Sequence, residues 1–139
     1  MPTHLSQINP ASLPNSLAAG YSQAIFSEAG RAIYLAGQVG WDKDGKMDGD
    51  GSFATQARKA LENVSIALKE AGASGADIVH LKCFVVGLTE HRIAELSRAI
   101  RDASIFDFNA PPTGTLVGIE RLARAELLVE IEGVAVLPN

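Results

Sequence analysis

The feature that most restricts the fold is an uninterrupted apolar stripe in the middle of the chain. Phe53, Ala57, Ala60, Leu61, Val64, Ala67, Leu68 and Ala71 recur at three- and four-residue steps, the period of a helix that buries one side. Arg58, Glu62, Lys69 and Glu70 fall mostly outside the stripe, and Gly72 stands where a left-handed glycine would end the helix. A helix with one apolar side needs a surface to cover, and the flanking sequence supplies strands. Ser22–Ser27 and Arg31–Val39 precede it, joined by the turn Glu28-Ala29-Gly30, and Ile78–Val86, rich in β-branched residues, follows it. A second helix is expected from an N-cap at Thr89, with Ile93, Leu96, Ile100 and Ala103 along one face. Pro111-Pro112 closes the next loop. Two strands are then expected over Thr113–Glu120 and Ala125–Val136, with a turn at Leu122–Arg124.

The expected order is β-β-α-β-α-β-β, an α+β fold with antiparallel strand pairs at both ends and two helices covering one face of the sheet. Residues 1–19, rich in Pro, Ser and Asn, are expected to form an extended arm without a regular element. The 139 residues suit one domain, and an apolar fraction of 47% is enough for a core without disulfides. In the last strand Leu127, Val129, Ile131 and Ala135 share one side and form core, while Leu128, Glu130, Glu132 and Val134 share the other. That mixture of carboxylates and apolar groups is the pattern of a subunit interface holding a polar site, so a closed homo-oligomer is expected.

Several chemistries lack their residues. Net charge is −4 and the cations are scattered, so no nucleic-acid partner is expected. No apolar run approaches the length of a membrane span, and Met1-Pro2-Thr3-His4 does not open a signal peptide. A cytoplasmic location is the expectation, which a single cysteine suits. His4, His80 and His91 show no metal-ligand spacing, and Asp42, Asp44, Asp48 and Asp50 read as a solvated acidic turn rather than a calcium loop. No metal and no cofactor are expected. Cys83, inside an apolar strand, reads as an inert buried thiol.

Several segments in this order resemble the Rid (YjgF-type) family. They include Gly20-Tyr21-Ser22-Gln23-Ala24, Ile33-Tyr34-Leu35-Ala36-Gly37-Gln38-Val39-Gly40, Gln56 to Asn63, Glu70-Ala71-Gly72-Ala73 and the closing Val129 to Val136. The resemblance implies a chorismate-mutase-like homotrimer with three clefts between subunits, and metal-free hydrolysis of imines or enamines to ketones and ammonia. It also implies roles: Glu130 to position water, Tyr21 to line the pocket, and Gly37-Gln38 beside it. Two positions depart from that pattern. The serine position before Gly37 is Ala36, and the position of the carboxylate-binding arginine is Gly114. The segment resembles that of a subgroup lacking the arginine, as does the run through Trp41 and Asp42.

The candidate site residues are therefore Glu130 and Tyr21 for chemistry, with Gly37, Gln38, Trp41, Thr113, Gly114 and Thr115 for binding. Each has a plainer reading. Glu130 is otherwise a surface carboxylate paired with Lys or Arg. Tyr21 is otherwise an interface residue, Trp41 a packing anchor and Gly114 a strand bulge. Three functions stay open: an imine or enamine hydrolase whose substrate is not the usual 2-imino acid, a non-catalytic ligand-binding or regulatory module of the same fold, and a nucleic-acid-directed activity that the acidity disfavours.

Overall fold

The computed structural model describes residues 1–139 and has the expected α+β class. Its elements are β1 (Leu5–Ile8), β2 (Ala24–Ser27), β3 (Arg31–Gln38), α1 (Phe53–Glu70), β4 (Ile78–Val86), α2 (Glu90–Ala103), β5 (Thr113–Ile119) and β6 (Val129–Leu137). Both helices begin where their caps predict. Ser52 Oγ accepts the Thr55 amide at 3.3 Å, and Thr89 Oγ1 accepts the Arg92 amide at 3.2 Å. The α1 terminus is a complete glycine stop. Gly72 takes φ 77°, its amide bonds to Lys69, and the Ala73 amide reaches back to the Leu68 carbonyl at 2.8 Å.

Strand pairing departs from the sequence reading in two places. The segment expected to be an irregular arm carries β1, which pairs antiparallel with β2 and buries Leu5. β2 therefore does not form a hairpin with β3. Four residues are too few to show a period, yet their backbone groups complete the ladder that β2 needs. The closing strands do not pair with each other either. The sheet order is β3-β6-β4-β5, with β5 parallel to β4 and β6 antiparallel to both of its neighbours. The β4–α2–β5 passage is a crossover, and a crossover returns the chain parallel to the strand it left. Residues 120–128 then carry the chain past β4 to its other side, where β6, with Val129, Ile131 and Ala135 fully buried, takes an inner position.

One face of this sheet is covered by α1 and α2. Leu35, Leu81, Cys83, Val85, Val129 and Ile131 on the strands pack with Leu61, Val64, Leu68 and Leu96 on the helices. Full burial of each such aliphatic chain contributes roughly 1.5–3 kcal/mol. Gln56 is buried with them and ties the layers together. It donates to the Gly51 and Glu126 carbonyls at 2.9 and 3.0 Å and accepts the Leu128 amide at 2.9 Å. The opposite sheet face has no cover within the protomer, and Tyr34 there is 81% exposed.

Candidate functional site

Glu130 lies on the open sheet face, paired across the ladder with Phe84 of β4. It is half-buried and makes neither an ion pair nor a protein hydrogen bond, unlike Glu132, whose carboxylate lies 3.8 Å from Lys82 Nζ. Burial raises the Glu130 carboxyl above its ordinary value, and Glu132 adds to the effect. The plain surface-pair reading of Glu130 therefore does not describe its setting. Its place depends on Gly37, because a Cβ at that position would stand 1.8 Å from Glu130 Oε1. β3 is also irregular here. Leu35 faces Gly133 and Gln38 faces Ile131, so Ala36 and Gly37 together oppose the single residue Glu132, the arrangement of a bulge.

Beyond the bulge, Gly37, Gln38 and Trp41 line a largely polar cleft of about 590 Å³ against α1. Asn63 Nδ2 donates to the Val39 and Trp41 carbonyls at 2.9 Å each, holding the strand end. Trp41 is capped by the Arg124 guanidinium, 5.5 Å from the ring centroid. Lys59 is occupied by Asp48 and Glu62 at 3.4 and 3.2 Å. The acidic turn satisfies itself: Asp42 accepts the Asp44 and Lys46 amides, which hold its carboxyl below the usual value.

The remaining predicted residues gather elsewhere. Tyr21, Thr113, Gly114 and Thr115 line a groove of about 350 Å³ between β5 and α2. The Ser22 amide bonds to Pro112 at 2.9 Å and Ser22 Oγ donates to Pro111, so Tyr21 is held beside the start of β5. The register of β4 with β5 is unbroken from His80–Thr113 to Val86–Ile119, so Gly114 does not mark a bulge. A Cβ there would meet only Tyr21 Cβ, at 3.5 Å. Neither packing nor backbone angle requires glycine at this position.

His80, outside the candidate set, stands beside Thr113 at the start of β5. Its Nδ1 lies 2.8 Å from Thr113 Oγ1, and that hydroxyl donates to the Val79 carbonyl at 2.8 Å. The hydroxyl proton is thus committed to Val79, so His80 Nδ1–H is the donor to Thr113. Only the parallel pairing of β4 with β5 creates this contact, and nothing in the local sequence signals it.

One protomer brings the two groups only partly together: Thr113 and Thr115, paired with His80 and Lys82, share the open side with Glu130, but from β5, with β4 between them. Gly114 pairs with the core residue Leu81 and faces the helix side of the sheet, whereas Glu130 faces the open side. The His80–Thr113 level lies four residues along β4 from the Phe84–Glu130 level, about 13 Å at about 3.3 Å per residue. No three His, Cys, Asp or Glu side chains lie close enough to hold a metal ion. No helix is long and apolar enough to cross a membrane.

Known proteins share this architecture and sequence. Residues 13–137 match the family described as Endoribonuclease L-PSP. A Rid-family protein of unknown function from Yersinia pestis is 31% identical, with a TM-score of 0.86 over 97% of this chain and 100% of that one. The protein DfrA of Myxococcus xanthus is 30% identical over 116 residues, 84% of each chain. A 2-iminobutanoate/2-iminopropanoate deaminase from Dermatophagoides farinae is 28% identical over 118 residues, 84% of this chain and 85% of that protein. With the family matched over residues 13–137 and relatives of 30–31% identity covering most of the chain, the chain belongs to the Rid (YjgF-type) family.

Proposed function

We propose that this chain, as a single domain over residues 1–139, handles a small molecule in clefts between the subunits of a homotrimer. There it acts as a metal-free hydrolase of an imine or enamine other than the usual 2-imino acids. The observation that carries the reading is Glu130: half-buried, unpaired, raised in pKa and seated over a glycine that leaves it room. A carboxylate so placed can accept a proton from water as the oxygen bonds to the imine carbon. The carbinolamine then collapses to a carbonyl compound and ammonia. The relative from Dermatophagoides farinae, named for its 2-imino acid substrates, supports this reaction class.

A composite site accounts for the separation of the two residue groups. Glu130, Gly37, Gln38 and Trp41 from one subunit would meet Tyr21, Thr113, Gly114 and Thr115 from its neighbour. The uncovered sheet face, with Tyr34 exposed, supplies the contact surface. The net charge of −4 supports a small-molecule rather than a nucleic-acid ligand, and the buried, unreactive lone cysteine suits the cytoplasm.

The substrate differs because the donors that hold an α-carboxylate are missing. Gly114 and Ala36 offer no side-chain hydrogen bond. Charge-assisted bonds contribute roughly 1.5–3 kcal/mol each, so losing a bidentate guanidinium costs two or more powers of ten in transition-state binding. The test is hydrolysis of 2-iminopropanoate generated in situ by wild type, Gly114→Arg and Glu130→Ala. Weak wild-type turnover that rises with the arginine supports the reading. Robust wild-type turnover dependent on Glu130 refutes its substrate part, and sedimentation as a monomer at micromolar concentration refutes the composite site. Turnover of no imine, with ligand still bound, would leave the protein a binding module, the reading that the missing donors at residues 36 and 114 also favour.

A further inference from the structure

The groove at Gly114 has a chemical character that narrows the substrate class. None of the 15 residues lining it is charged. Its walls are apolar, formed by Leu96, Ile100, Phe106 and Leu116 with Tyr21 at one end; Ser97 adds a hydroxyl, while Thr113 and Thr115, whose side chains share the other face with His80 and Lys82, contribute backbone. Thr113 is already engaged with His80 and Val79. The three arginines of α2 lie elsewhere: Arg98 lines a separate pocket with Glu95 and Asp102. Arg92 bonds to the Val86 carbonyl and lies over Phe53, and Arg101 lies over Phe108, 5.3 Å from the ring centroid. The volume of about 350 Å³ falls at the lower end of the range for small-molecule sites.

We propose that the groove takes an uncharged, apolar imine or enamine, carrying an alkyl or aryl substituent and no carboxylate. This rests on the hydrolase reading above and names its substrate class. A carboxylate entering the groove would give up water for hydroxyls and backbone groups alone, with no cation to neutralise it, and the Glu130 carboxylate of the completed site would repel it. An apolar substituent gains from the same walls, because they are removed from water on binding. The reaction is R–CH=NH plus water giving R–CHO and ammonia. The water oxygen bonds to carbon while Glu130 takes one water proton and gives it to nitrogen, forming the carbinolamine. Glu130 then takes the remaining hydroxyl proton as the C=O bond forms and gives it to nitrogen as the C–N bond breaks and ammonia leaves.

The test uses a pair that differs only by the carboxylate. Phenylacetaldehyde imine is formed in situ from 2-phenylethylamine by a flavin amine oxidase, and 2-imino-3-phenylpropanoate from phenylalanine by an amino-acid oxidase. The full-length protein is added, and the loss of semicarbazide-trapped product is followed. Binding is read separately from the fluorescence of the neutral probe N-phenyl-1-naphthylamine. Wild type is expected to favour the neutral imine by about tenfold or more in kcat/KM, and Gly114→Arg to reverse that preference. Ser97→Trp fills the groove from an exposed position and should abolish both probe binding and the preference. Faster wild-type turnover of the imino acid overturns the proposal, and its loss in Arg124→Ala would identify the cation responsible. Absence of probe binding, or binding unaffected by Ser97→Trp, also overturns it. If neither imine turns over while the probe binds in the groove, the hydrolase reading fails and the neutral, apolar ligand class stands.

Discussion

Replacing Gly37 with alanine separates the placement of Glu130 from the stability of the fold. The added Cβ would lie 1.8 Å from Glu130 Oε1, 2.6 Å from its Cδ and 2.7 Å from its Cγ. Ordinary carbon contacts are about 3.5–4.0 Å, so the carboxylate must retreat by more than about 1 Å. Gly37 does not have a positive φ, so the backbone accepts alanine without strain. Glu130 has no protein partner to lose, and its cost is a displaced rotamer, about 0.5–1.5 kcal/mol. Replacing glycine also restricts the unfolded chain, which offsets about 0.4–1 kcal/mol of that. Net stability should therefore change by less than about 1 kcal/mol. Catalysis should suffer far more, because misplacing a reacting group by about 1 Å costs on the order of 100-fold. The assay is kcat/KM for imine hydrolysis beside a urea unfolding curve. Gly133→Ala is the contrast: its Cβ meets the His80 carbonyl oxygen at 2.8 Å and Leu81 Cδ2 at 2.9 Å, and this overpacking should cost about 1–3 kcal/mol of stability. An unchanged kcat/KM in a folded Gly37→Ala variant would show that Glu130 does not act from its observed position.

Three further outcomes follow from single residues. Gln56→Leu removes the buried side chain that accepts one amide and donates to two carbonyls, all in partly buried bonds; with water reaching part of each freed group, a loss of about 1–3 kcal/mol is expected in urea denaturation. Glu130→Gln should raise Tm at pH 7, because folding raises the pKa of Glu130 and so disfavours its charged form. That advantage should shrink as pH falls through the raised value and vanish below the ordinary value of 4.5; an advantage that persists at lower pH would contradict the assignment. Cys83, whose thiol burial pushes up to about 12, should react with a thiol reagent at pH 8 only as fast as the protein unfolds, and prompt stoichiometric labelling would refute its burial.

Much of the architecture is local information. The stripe from Phe53 to Leu68, the caps at Ser52 and Thr89, the glycine stop at Gly72 and the strand at Ile78–Val86 all stand where their periods and end signals place them. Alternation in β6 likewise separated the core side of Val129 and Ile131 from the side of Glu130 and Glu132. These features follow from one element and one buried face, so a short window of sequence contains them. The family resemblance rests on the same kind of continuous segments.

Pairing is different, because a strand's neighbours are chosen by the whole chain. β1 in the supposed irregular arm, the parallel β5 and the inner place of β6 are decided by which edges remain when the α2 crossover has closed. The burial of Gln56, the His80–Thr113 contact and the bulge that brings Gly37 beneath Glu130 come from the same non-local choices. The family resemblance, with the residues around its departures, selected eight candidate site residues. Only the tertiary structure separated Glu130 on β6 from the β5 residues with β4 between them, because the face a residue presents depends on its local alternation, while the residues it meets there depend on strands far away in the chain.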